Sequence, residues 1–119
     1  MSKQIIKMVV KLNIKQGSTE KFISLVKDIK NIVEAEEPST LEYEWFLDKD
    51  QQTCYIVESY SDSDALLFHL NNIGEKLGLI LEIAPIEEVL VFGNLNDKAA
   101  GFLGGLGAKV FSLLTGFTR

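Results

Sequence analysis

One cysteine, one histidine, one tryptophan and two prolines are all that the 119 residues hold of those four types. A lone Cys54 excludes an internal disulfide and any cysteine-rich zinc site. Positive charge is also short. Twelve Lys and Arg against 17 Asp and Glu leave a formal charge of -5, which argues against a nucleic-acid binder, because phosphates need a basic surface. Uncharged apolar runs long enough to span a membrane are missing. The opening MSKQIIKMVVKLNIKQG has lysines set through its apolar residues and does not read as a signal peptide, so the expected address is cytoplasmic. Ala99 to Phe117 carries only Lys109 as a charge. Glycines at Gly101, Gly104, Gly105 and Gly107 and that central lysine make it a poor membrane span. No repeat or low-complexity linker divides the chain.

What is present is an ordinary composition for one domain, 46% hydrophobic and 24% charged, with length enough to bury a core without staples. The chain is organised around residues 37–70, which read as strand, turn, strand and the start of a helix. Leu41, Tyr43, Trp45 and Leu47 alternate against Glu42, Glu44 and Phe46, a strand with one mostly buried face. Asp48 to Gln52 turns the chain, and Cys54 to Tyr60 returns as a second strand. Ser61-Asp62-Ser63-Asp64 supplies cap side chains for a helix beginning near Ala65.

Upstream, Gln4 to Ile14 is a strand with Ile6, Met8, Val10, Leu12 and Ile14 on one face and Lys7, Lys11 and Asn13 on the other. Gly17-Ser18-Thr19 then opens a helix from about Glu20 to Glu36, with Phe22, Val26, Ile29 and Val33 at helical spacing. Pro38 ends it. Downstream, the second helix carries Leu66, Leu70, Ile73, Leu77 and Leu81 as a core stripe. His69 stands to its side, and Gly74 or Gly78 is an expected interruption. Phe68 and Leu79 fall on the far side, where cover from the C-terminal segment or a partner is expected. Pro85 to Leu95 reads as the fourth strand.

The order β-α-β-β-α-β is that of an α+β, ferredoxin-like domain: an antiparallel four-stranded sheet with helices on one face. The expected division is residues 1–95 for this domain and 96–119 for an apolar arm or helix packed on the domain or on a partner subunit. Ile5, Val9, Phe46, Tyr55 and Val57 make the other sheet face too apolar to stay wet. Two copies pressed sheet to sheet in a homodimer would bury it.

The stretches EPSTLEYEWFLDKD and CYIVESYSDSDALLFHL, with the first strand and KQGSTEKF, resemble the antibiotic biosynthesis monooxygenase family over roughly residues 4–95. The ending LLTGFTR is similar to that of an uncharacterised branch. The resemblance implies a dimeric α+β barrel. It implies either oxidation of quinols or polyketide phenols by O2 with no metal or flavin, or haem degradation. Haem degradation needs an Asn, a Trp and a His at positions held here by Val10, His69 and Leu79, so that branch is set aside.

His69 is the expected catalytic proton acceptor, since imidazoles titrate near neutral pH. Its plain alternative is an idle histidine at the core edge. Glu58 is the expected orienter: if Leu47 pairs with Cys54, then Tyr43 pairs with Glu58 on the helix-covered face, where burial would raise the carboxyl pKa. Its plain alternative is a glutamate paired with Lys7 or Lys11. Tyr43, Trp45 and Tyr60 are expected to line a pocket for a small aromatic molecule, or else are simple core. Asn72 and Glu75 lie near His69 and are expected to touch ligand or solvent. Cys54 reads as a small core residue. The expected function is cofactor-independent monooxygenation of a quinol or phenol, without metal or other cofactor. The alternatives are a non-catalytic small-molecule-binding or interaction module of the same fold and, by analogy only, an isomerase or decyclising enzyme.

Overall fold

In the first strand, β1 (Ile6–Asn13), every second residue turns inward: Ile6, Met8, Val10 and Leu12 are buried, while Lys7, Val9 and Lys11 face the other way. This alternation is the pleat of a strand with one covered face. The computed structural model describes residues 4–119; residues 1–3, the start of the expected 1–95 unit, lie outside the described residues. After β1 come α1 (Thr19–Glu36), β2 (Thr40–Leu47), β3 (Thr53–Tyr60), α2 (Ser63–Ile83) and β4 (Ile86–Phe92). The strands lie in the order β2-β3-β1-β4, all antiparallel. That is the expected ferredoxin-like arrangement.

The sheet nevertheless has a fifth strand, which corrects the expected four-stranded antiparallel sheet. Helix α3 (Asp97–Gly104) leads to β5 (Lys109–Phe111), which pairs parallel to β4, so the sheet is mixed. Parallel neighbours need a crossover, and α3 is that crossover. Asn96 caps α3 by accepting from the Ala99 N–H at 2.9 Å. At the far end Gly107 sits at φ 76°. Its N–H bonds to the Gly104 carbonyl and that of Ala108 to the Leu103 carbonyl, the paired closure that favours glycine at this position. A three-residue strand behind a glycine-rich turn shows no alternation long enough to read from sequence.

Two further expectations are corrected. Helix α2 runs unbroken through Gly74 and Gly78, where a side chain would meet open space; packing of Leu66, Ile73 and Ile80 outweighs the glycine cost of about 1 kcal/mol each. Leu41 does not share the buried face of Tyr43 and Trp45. The pairing steps from Thr40↔Tyr60 to Glu42↔Ser59, so Leu41 is an extra residue at a bulge and is half exposed.

Both long helices lie on the inward side of the sheet. Phe22, Ile29 and Val33 of α1 and Leu66, Ile73 and Ile80 of α2 are buried against Ile6, Met8, Val10, Leu12, Ile56, Val89 and Val91. Each large aliphatic or aromatic side chain so covered contributes about 1.5–3 kcal/mol. Leu103 of α3 joins this core. On the other side of the sheet Phe46, Tyr55, Phe92 and Phe111 are exposed, the last two with stacked rings 5.6 Å apart. Phe68 and Leu79 of α2 are also exposed.

Candidate active site

Three observations from the sequence meet in one place. The hairpin register is Leu47↔Cys54, Trp45↔Ile56 and Tyr43↔Glu58, which puts Tyr43, Trp45, Glu58 and Tyr60 on the helix-covered face. Helix α2, capped by the Asp62 carboxylate accepting from the Ala65 N–H at 2.8 Å, lowers His69 onto them. His69 and Glu58 are both buried.

The residue that sequence reasoning did not single out is Glu37. It follows α1 at the turn forced by Pro38, and its side chain points inward, 3% exposed. Its Oε1 lies 2.7 Å from His69 Nδ1 and also accepts from the Thr40 hydroxyl at 2.7 Å. Its Oε2 accepts from the Asn72 amide at 2.9 Å. A carboxylate only accepts, so Nδ1 carries the imidazole proton and Nε2 is left bare in the neutral ring. Helix amphipathicity assigns a terminal Glu to solvent; Thr40 and partners 32 and 35 residues further on turn it inward. The adjacent proline was the one sequence signal for it, and a weak one.

Glu58 is at the other end of the ring, with Oε1 3.6 Å from His69 Nε2. The Tyr60 hydroxyl donates to the same oxygen. Lys7 and Lys11 do not reach it; Lys11 pairs with Glu87 at 3.2 Å. Burial pushes the Glu58 carboxyl pKa up, and the nearby Glu37 adds to this, against the opposing pull of His69 and of the Tyr60 hydrogen bond. Burial also raises both phenols: Tyr60 through burial and the neighbouring Glu58, Tyr43 through burial, Glu58 and Glu37. The layer therefore runs Glu37, His69, Glu58, Tyr60, hydrogen-bonded at its two ends, with 3.6 Å between His69 Nε2 and Glu58 in the middle.

Aromatic rings wall this row. Tyr43 meets His69 edge-on at 5.0 Å, Tyr60 lies 5.2 Å from it at a tilt, and Trp45 is edge-on to Tyr43 at 5.7 Å. Tyr60 is fully buried, and neither Tyr60 nor Asn72 borders open space in the two hollows on this side. The first hollow, about 400 Å³, lies between α1 and β2 over Val26, Tyr43 and Trp45. The second, about 340 Å³, opens beside the end of α1 along Val33, Glu37, Pro38 and Thr40, again with Tyr43 in its wall. His69 lines neither, so Tyr43 is the partition between hollow and histidine. The Trp45 indole N–H is buried without a hydrogen-bond partner, a deficit of about 1–3 kcal/mol in a protein interior. Glu75 is exposed. Cys54 is buried and its thiol is pushed up to about 11 by burial, which keeps it protonated and unreactive. Among the described residues, no group of three or more His, Cys, Asp or Glu side chains is arranged to hold a metal ion.

Residues 5–73 match the family model described as antibiotic biosynthesis monooxygenase. Among solved structures, MupZ of Pseudomonas fluorescens superposes with a TM-score of 0.89 at 25% identity, covering 100% of this chain and 92% of that one. A conserved protein of Methanosarcina mazei gives a TM-score of 0.67 at 19% identity over 76% of this chain and 93% of its own. SnoaB of Streptomyces nogalater, described as a cofactor-independent oxygenase, gives 0.64 at 14% identity over 78% and 95%. The last two show the fold alone. No curated protein matches the sequence.

Proposed function

The chain belongs to the antibiotic biosynthesis monooxygenase family, and from that premise we propose that it oxidises a phenolic or quinol small molecule with O2, without metal or flavin. His69 takes the phenolic proton at Nε2, and Glu37 holds the ring in the tautomer that leaves Nε2 bare. The phenolate then reduces O2, and the oxygenated ring loses water to give the quinone. Glu58 faces Nε2 from 3.6 Å and offsets the charge of the imidazolium that forms, with the Tyr60 hydroxyl donating to its carboxyl. The single observation that supports this most is the 2.7 Å contact from Glu37 to His69 Nδ1, with a second carboxyl facing the other nitrogen.

Substrate reaches the histidine past Tyr43, the ring common to both hollows and His69. The working unit is a homodimer, its bare sheet faces pressed together over Val9, Val57 and Leu90 and the exposed Phe46 and Tyr55. Sedimentation of the full chain at micromolar concentration checks this, with a mass of two protomers expected. O2 uptake with a panel of quinols and naphthols tests the reaction. Uptake is expected with at least one, and His69→Ala lowers it by roughly 10²–10⁴-fold, the usual worth of a positioned acid–base group. Uptake that ignores the substitution removes His69 from the chemistry.

Two observations favour a second reading, a binding module without catalysis. His69 lines no hollow, and both oxygens of Glu37 are hydrogen-bonded within the protein. Tight binding of aromatic ligands with no O2 uptake from any of them is the outcome that would support it.

A further inference from the structure

The hollow between α1 and β2 is chemically one-sided. Its floor is apolar and aromatic, from Val26, Tyr43 and Trp45, and its rim is Lys27, Lys30 and Asn31, with no acidic side chain among them. In a chain of net charge -5 this is a local reversal. The adjoining hollow shares Lys30 and Tyr43 but is lined by Glu34, Glu37 and Glu42, so the two differ in sign across a single shared wall. Lys27 and Lys30 stand three residues apart on one face of α1, and Asn31 lies beside both. Lys27 makes no ion pair among the described residues. Lys30 is paired only with Glu34, one turn on and solvent-exposed, a contact weak enough for a ligand to displace.

The floor has a further feature. The Trp45 N–H is buried without an acceptor, and the Trp45 ring meets that of Tyr43 edge-on at 5.7 Å. No hydrogen bond to the Tyr43 hydroxyl is made among the described residues. Tyr43 and Trp45 thus form the floor of an aromatic slot that is rimmed by cations. The arrangement suits a ligand with a flat ring, an acceptor oxygen on that ring and a negative charge at its outer end.

We infer that this hollow is a binding site for an aromatic acid: the carboxylate lies between Lys27 and Lys30, and the hydroxylated ring rests on Tyr43 and Trp45. The site deepens the proposed function by giving its substrate a class, and it rests on that reading only for the step after binding. Tyr43 then carries the ring edge toward His69, which it already touches edge-on.

The test compares 1-hydroxy-2-naphthoate with 1-naphthol, titrated into the full chain by calorimetry. Quenching of Trp45, the one tryptophan, locates the binding. The acid is expected to bind about tenfold or more tightly than the naphthol, the worth of one good charged contact. The preference is expected to weaken with added salt and to vanish in Lys27→Gln/Lys30→Gln, whose changes lie on an exposed helix face. Equal affinities, a preference that survives the double substitution, or no quenching of Trp45 would each overturn the inference. Binding as expected without O2 uptake would sink the proposed oxidation and leave the site standing. Uptake from 1-hydroxy-2-naphthoate unchanged by the lysine substitutions would do the reverse.

Discussion

Beneath its helices the sheet has two unlike halves. Under β1 and β4 the buried layer is aliphatic: Ile6, Met8, Val10, Leu12, Val89 and Val91, closed by Leu103. Under β2 and β3 it holds Glu58, Tyr60 and His69, with Glu37 folded in from the end of α1 and Tyr43 and Trp45 at the border. Both halves use the same strand alternation and the same pair of covering helices. The aliphatic half stabilises the fold by area removed from water. The polar half keeps ionisable groups out of water and makes each depend on its neighbour, which is how proton-transfer sites are built. Stability and chemistry are therefore expected to respond to different substitutions, and the comparison can be broken at either half.

The largest effect on stability is expected in the aliphatic half. Leu12→Ala removes a fully buried side chain and should cost about 2–5 kcal/mol in urea unfolding. Turnover per folded molecule should stay unchanged, and a loss of turnover in the folded fraction would join the two halves. Next comes Glu37→Gln. Losing the charge from a buried pair should cost about 1.5–3 kcal/mol and also slow O2 uptake, because the imidazole loses its anchor. An unfolding cost with normal turnover would make Glu37 purely structural.

Glu58 sharpens the comparison through pH. Its folded pKa is raised, so the folded state holds this proton more strongly than the unfolded chain does. Stability from the protonated carboxyl is fully present below the ordinary carboxylate range and is lost as pH rises toward the folded value. The expected slope is up to about 1.4 kcal/mol per pH unit within that window. In Glu58→Gln the slope should disappear, as read from urea midpoints across pH. A wild-type stability that rises with pH over the same range would mean that Glu58 is ionised and paired. The smallest effect is on the surface: Glu34→Gln, which removes the exposed partner of Lys30, should change stability by less than about 0.5 kcal/mol.

Much of this was legible beforehand because the hairpin is periodic from Glu42 to Leu47. The register that pairs Tyr43, Trp45 and Leu47 with Glu58, Ile56 and Cys54 sets Glu58 on the helix-covered face near His69, whereas a slip of one residue would have turned it to the other face. Glu37 was not legible, since a glutamate at a helix end is solvated unless distant residues claim it, and Thr40, His69 and Asn72 do so only in three dimensions. Strand β5 was hidden for another reason. Lys109, Val110 and Phe111 are all exposed, so no burial pattern marks them, and their pairing depends on where α3 delivers the chain. The pocket expected around His69 was misplaced by one ring: open space ends at Tyr43.

His69 is the single histidine of the chain, so the nitrogen that carries its proton can be read without ambiguity. Long-range ¹⁵N–¹H correlation spectra of the full protein should show the neutral ring protonated at Nδ1, with a bare Nε2 facing Glu58. A neutral ring protonated at Nε2 would contradict the assignment of Glu37 as anchor and of Nε2 as the proton acceptor.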